Sequence, residues 1–283
     1  MIKNLLELLN RINPDLVEIL SKISSIAEQY NISFFVVGAT ARDIYFTSSR
    51  ATMDLDVGIQ IATWQSYTDL IDALIKTCLF TKSDIPHRLI YVKYNYPLDI
   101  VPFGSISNAD GTIKWPGDRE MSVLGFEEAY EHCYLLPSED SSNLNIRFAS
   151  PSGLTAMKII SWSDSIDRSQ KDAQDLSLMF SEYHSILNNA DRLFETHPEI
   201  LEATGFDIER SGTILLGKDT AAILNRETLT KVRAIIDFEA ASDNNCKLAN
   251  DMRIRNSLGD NLEKYLEMIN DFRMGLCSGN RNC

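Results

Sequence analysis

Positive charge is what this chain is short of: 27 Lys and Arg residues stand against 40 Asp and Glu in 283 residues, a formal net charge of −13. Neutralising phosphates with Lys and Arg dominates nucleic-acid affinity, so the deficit argues against a broad nucleic-acid-binding surface. It leaves room for a local basic patch that docks an RNA end. Long apolar runs are missing as well. No stretch reaches the 18 or more residues of a membrane span, so no membrane partner is expected. The five cysteines, at 78, 133, 246, 277 and 283, are odd in number and form no Cys-x-x-Cys pair, which speaks against a disulfide framework and suits a reducing cytoplasm. His87, His132, His184 and His197 show no ligand spacing, so none builds a zinc motif. There is no internal repeat and no Gly-, Pro- or Ser-rich linker. The first eleven residues carry charges inside their apolar run and no small-residue cleavage site, which predicts a helix rather than a signal peptide. Residues 279–283 are a polar tail.

What is there is ample core, at 44% hydrophobic residues, and one informative stretch. The apolar run Phe34-Phe35-Val36-Val37 is followed by Gly38-Ala39-Thr40 and a short helical pattern, then by a polar stretch and Asp54-Leu55-Asp56-Val57. Strand, glycine turn and helix start put backbone N–H groups where they can hold a phosphate. Asp54 and Asp56 lie two apart on an expected strand at 53–60, so both carboxylates share a face, with Cα atoms about 7 Å apart. Hard oxygen ligands on one face suit Mg²⁺ or Mn²⁺. If the strand is half exposed, the same two acids are an ordinary polar face. Asp99 is a third acid, set between Leu98 and Ile100 in a β-rich segment whose break at Asn95-Tyr96-Pro97 reads as a hairpin. Its plain structural role would be an edge-strand charge. Its functional one would be to complete a site for two metal ions about 3.5–4 Å apart.

Coarse periodicity places helices at 14–30, 39–46 and 64–77 among strands at 33–37, 53–60, 88–94 and 97–103. Helices follow near 152–166, 170–188, 218–225, 227–241 and 259–274. The expected organisation is an α/β (α+β) mixed-sheet catalytic domain over 1–148 and a helical C-terminal domain over 149–283. Arg42 and Asp43 fall on the helix after the glycine turn, where Arg42 would meet a triphosphate and Asp43 would pair locally. Arg50 and Thr52 border the Asp-x-Asp strand, as phosphate contacts or as loop residues. Lys158 falls on the first C-terminal helix, either reaching a triphosphate as a point charge or simply solvated. Asp172 and Asp175 share a helix face as neighbours three apart, or serve the dipole of their first turn.

Gly38-Ala39-Thr40, Asp54-x-Asp56 and the later Asp99 together resemble the nucleotidyltransferase superfamily related to polymerase beta. Gly38-Ala39-Thr40-Ala41-Arg42-Asp43 is similar to the opening of tRNA CCA-adding enzymes, although their templating motif is not recognisable. Leu154 to Ile160 and Gln170-Lys171-Asp172-Ala173-Gln174-Asp175-Leu176 are similar to the lysine helix and the Arg-Asp-x-x-Asp-Leu helix of AbiEii-type abortive-infection nucleotidyltransferases. That second likeness covers more of the chain, from about residue 30 to 180. Two departures stand out: Ala39 replaces the usual second glycine, and Lys171 stands where arginine is common.

The resemblance implies a mixed-sheet nucleotidyltransferase core and metal-dependent transfer of a nucleoside monophosphate from a triphosphate to a hydroxyl. The acceptor would be a tRNA 3′ end, a protein or a small molecule. Asp54, Asp56 and Asp99 would hold Mg²⁺ or Mn²⁺, while Gly38, Ala39, Thr40, Arg42 and Lys158 would bind the nucleotide, with Lys158 and Asp172 in the active site. A toxin with an antitoxin partner is the physiological role the AbiEii-type likeness implies. The alternatives are a catalytically silent nucleotide- or partner-binding module of the same fold and a structural protein whose acids are surface features.

Overall fold

The computed structural model describes residues 8, 11–48, 52–115, 120–137, 145–164, 169–241, 246–253 and 261–278. Most of the expected N-terminal helix, Arg50 and the tail at 279–283 lie outside them. The chain forms two compact units, Ile2–Ser150 and Pro151–Cys283.

The first unit is built on a seven-stranded mixed sheet. Helix α1 (Pro14–Gln29) starts where Asn13 accepts a hydrogen bond from the Asp15 amide and Pro14 occupies the first turn, and it buries Ile19, Leu20, Ile23 and Ala27. Strand β1 (Ser33–Val37) runs straight into α2 (Gly38–Tyr45). Strand β2 (Leu55–Gln60) returns antiparallel to β1, and α3 (Trp64–Lys76) follows behind the side-chain cap of Thr63. Strands β3 (Phe80–Lys82), β4 (Arg88–Tyr91) and β5 (Tyr96–Phe103) complete one side of the sheet. A two-stranded sheet of β6 (Thr112–Lys114) and β7 (Glu120–Ser122) precedes α4 (Phe126–Glu131), β8 (Tyr134–Pro137) and β9 (Asn145–Phe148). Sheet order is β3-β4-β5-β2-β1-β9-β8, with β2 and β5 parallel, β1 and β9 parallel, and the remaining neighbours antiparallel.

Side-chain alternation divides the central strands cleanly. Leu55, Val57 and Ile59 of β2 are fully buried on one face, beside Leu98 and Ile100 of β5. Asp56, Gly58 and Gln60 take the other face. There Phe35, Phe103, Phe126 and Tyr130 form an aromatic cluster, and the bare backbone of Gly58 makes room for the Phe35 ring. At the far end of the sheet, Glu18 of α1 accepts hydrogen bonds from Tyr91, Lys93 and Tyr94 at 2.7–2.8 Å, tying that helix to the tip of the β4–β5 hairpin.

Only helices occur among the described residues of the second unit: α5 (Pro151–Asp164), α6 (Ser169–Glu182), α7 (Asn189–Glu195), α8 (Pro198–Ala203), α9 (Ile208–Ile223), α10 (Arg226–Ala240), α11 (Lys247–Met252) and α12 (Leu262–Cys277). Helices α9 and α12 cross so closely that a β-carbon on Gly217 would lie 2.2 Å from the Phe272 carbonyl, and one on Gly275 2.0 Å from that of Ile214. The helix expected at 218–225 therefore needs correcting to Ile208–Ile223, opened by the Asp207 cap. Its glycines weaken local helical preference, and the packing they permit restores it.

The expected mixed α/β sheet followed by helices is what the structure shows. No described helix is long and apolar enough to cross a membrane, and no disulfide joins Cys78, Cys133, Cys246 and Cys277.

Candidate active site

Register decides the site. Val37 pairs with Asp56, Asp56 with Asp99, and Asp99 with Arg88, so four neighbouring strands bring a glycine turn, two acids and an arginine into one row. Asp54 lies just ahead of β2, which begins at Leu55 rather than at residue 53. One carboxylate oxygen from each of Asp54, Asp56 and Asp99 lies within 4.8 Å of the others. Asp99 is 2% exposed, the deepest of the three, whereas the Asp54 side chain is 35% exposed.

Gly38 is tied to this cluster by two constraints. Its φ of +64° falls in the left-handed region, and a β-carbon there would lie 2.1 Å from Asp56 Oδ2. Only a glycine can both start the helix and leave space for the carboxylate. Two residues on, Thr40 Oγ1 donates to the Asp54 carbonyl at 3.3 Å, fixing the backbone that presents that acid. Ala39 is half-buried at the same helix start. Arg42 is wholly buried and donates from Nε to Asp43 Oδ1 at 2.7 Å, while Thr52 Oγ1 donates to Asp43 Oδ2 at 2.6 Å. The arginine thus braces the entry to the Asp-x-Asp segment. Burial pushes the Tyr96 phenol up from its ordinary pKa, and the charges of Asp54, Asp56 and Asp43 push it further.

Arg88 is the functional neighbour that pattern reading missed. Its Nε and one terminal nitrogen grip the two oxygens of Asp99 at 2.6 and 2.7 Å, and the same fork lies 3.5 Å from Asp54 Oδ2. The Asp99 hydrogen bond holds the guanidinium pKa above its ordinary value, against the pull of burial. His87 Nε2 stands 3.7 Å from Asp99 Oδ2. The signal was present in the hairpin: closing it at Tyr91 and Tyr96 sets Arg88 opposite Asp99.

The donor set fits a hard divalent cation. Mg²⁺ at bonds of about 2.0–2.1 Å holds opposite ligands roughly 4.2 Å apart, so a site spread over 4.8 Å closes by small side-chain rotations. Three carboxylate oxygens gathered in one place are the hard donors that such a cation takes.

In the helical unit Lys158 meets both acids of α6. Its ammonium lies 3.1 Å from Asp172 Oδ1 and 2.6 Å from Asp175 Oδ2, and Ser161 Oγ donates to Asp172 Oδ2 at 2.8 Å. Lys158 is buried, not the solvated helix residue of one sequence reading. Burial pulls its pKa down, but Asp172 and Asp175 outweigh that and leave it raised. Asp175, the acid with less support from the sequence, is the closer of the two.

No protein-family model and no curated protein matches the chain. Among solved structures it is similar to the antibiotic-resistance factor ANT(2″)-Ia, with 11% identity over 68% of this chain and 94% of that one and a TM-score of 0.37. A nucleotidyltransferase-like protein from Paracoccidioides brasiliensis gives 15% identity over 66% and 91% at a TM-score of 0.39. An apo form of a CCA-adding enzyme gives 12% over 96% and 82% at 0.34. Overlaps this loose carry no argument about the site, which stands on its own geometry.

Proposed function

We propose that this protein is a divalent-metal-dependent nucleotidyltransferase, moving a nucleoside monophosphate from a triphosphate onto a hydroxyl. The observation that supports it most is the gathering of Asp54, Asp56 and Asp99 at the glycine turn that opens α2. In the reaction the acceptor oxygen bonds to the α-phosphorus, the bond from that phosphorus to the bridging oxygen breaks, pyrophosphate leaves, and the hydroxyl proton passes to solvent or a carboxylate. The amides of Gly38, Ala39 and Thr40 would face the phosphates. Asp54, Asp56 and Asp99 would hold Mg²⁺ or Mn²⁺, which when bound supplies charge neutralisation to the triphosphate. Arg42 acts at one remove, through Asp43 and Thr52. The AbiEii-type resemblance would add Lys158 and Asp172, which pair in the helical unit, to the nucleotide-handling residues.

A catalytically silent nucleotide-binding module is the second reading, favoured by the grip of Arg88 on both oxygens of Asp99. Incubating the protein with each labelled triphosphate, Mg²⁺ and total cellular RNA, protein or small-molecule extract separates the two. Label passing to RNA, to a protein or to a small molecule identifies the acceptor class, whereas triphosphate binding without transfer supports the silent module.

A further inference from the structure

Arg88 stands where a cation is wanted. Its planar fork donates a hydrogen bond to each oxygen of Asp99, and the bidentate fit aims that buried carboxylate without any metal. The same guanidinium reaches toward Asp54, so it bridges two of the three candidate ligands. Those hydrogen bonds use the oxygens that a metal ion would need. A dication coordinated by Asp99 would also sit within a few ångströms of the guanidinium, and like charges that close repel beside so buried a carboxylate. The Arg88 side chain is 22% exposed, so it has solvent to move into.

We propose that Arg88 is a built-in surrogate cation that competes with a divalent ion for Asp99. Asp54 and Asp56 then take the first ion with Arg88 still in place, and a second ion binds Asp99 only as the arginine lets go. Arg88 is on this account a positioning residue: it keeps Asp99 aimed until metal replaces it. The inference rests on the metal-site reading of Asp54, Asp56 and Asp99, and it adds a residue that reading does not require.

The test is Mn²⁺ binding to the full chain, followed by electron paramagnetic resonance, for the parent, Arg88→Met and Arg88→Lys. Arg88→Met keeps the aliphatic stem and removes the charge. It should tighten the weaker Mn²⁺ site by about tenfold or more, with Arg88→Lys between it and the parent. Weaker or unchanged Mn²⁺ binding in Arg88→Met overturns the competition while leaving the metal site standing. An absence of Mn²⁺ binding in the parent and both variants overturns the metal-site reading and this inference together. Should Arg88→Met fail to fold, the parent alone decides the matter. The ¹⁵N resonance of Arg88 Nε–H, assigned by its loss in Arg88→Lys or by sequential connectivity, should move toward the position of a solvated arginine on saturation with Mg²⁺. A resonance that stays in place under saturating Mg²⁺ refutes the displacement.

Discussion

The two units of this protein each set aspartates around one cation, and they do so to different ends. In the sheet unit Arg88 grips Asp99 and lies near Asp54, and the Asp54 side chain is 35% exposed. In the helical unit one ammonium meets two carboxylates with side-chain exposures of 9, 15 and 5% for Lys158, Asp172 and Asp175. The first cluster is open at Asp54, which gives another cation a way in. The second is closed, its one ammonium shared by two acids. Acid content alone therefore does not mark a metal site; the access of solvent counts as well.

Asp56→Asn breaks the open cluster most directly, because it removes a ligand charge at constant volume. Transfer should fall on the order of a thousandfold or more while the circular dichroism spectrum is unchanged. Turnover within tenfold of the parent would reject the assignment. Gly38→Ala attacks the same cluster from the backbone side, since its β-carbon would press on Asp56 Oδ2. Displacing that carboxylate by about 1 Å should lower transfer roughly a hundredfold. The comparison fails if Gly38→Ala is as active as the parent.

The closed cluster should answer in stability. Lys158→Met strands the buried Asp175 and the half-buried Asp172, and breaking a buried pair costs about 3–5 kcal/mol, readable by urea denaturation. A merely solvated lysine would have cost almost nothing. Turnover measured where the variant is still folded then shows whether Lys158 also serves the reaction. The pH dependence has a definite sign: because the folded pKa of Lys158 is raised above 10.5, its contribution is complete below 10.5 and lost as pH climbs through the higher folded value. A gap between parent and variant that narrows between pH 7 and 10 contradicts the ion pair. Glu18→Gln should have the smallest effect, a slight fall in melting temperature at neutral pH. Hydrogen bonds from Lys93, Tyr94 and Tyr91 hold the Glu18 carboxyl down at about 2 against an ordinary 4.5. That contribution is present above pH 4.5 and disappears as pH falls through 2, so the two proteins should converge in acid.

Much of the sheet-unit site was legible because it rests on short-range rules. A two-residue period put Asp54 and Asp56 on one side, and an acid between Leu98 and Ile100 is conspicuous in any strand. Gly38 was legible as a turn, but its clash with Asp56 was not, since that depends on the pairing of β1 with β2. Arg88 escaped notice for the same reason: its partner is set by hairpin register, which one misplaced turn residue changes. The burial of Lys158 was hidden because Asp172 and Asp175, fourteen and seventeen residues ahead, only meet it once α5 and α6 pack. Short elements such as β3, β6, β7 and α4 have three to six residues each, too few for a periodic signal, and depend on tertiary partners.

The contact between residue 38 and Asp56 also limits how this protein can change. Every single-base substitution in a glycine codon is silent, ends the chain, or installs a β-carbon, and at position 38 that carbon has no space while Asp56 keeps its place. A compensating change would have to shorten or remove the Asp56 side chain, and with it a candidate ligand. The two positions are locked as a pair: a randomised library selected for activity should return glycine and aspartate together, with no path of single steps between this solution and another.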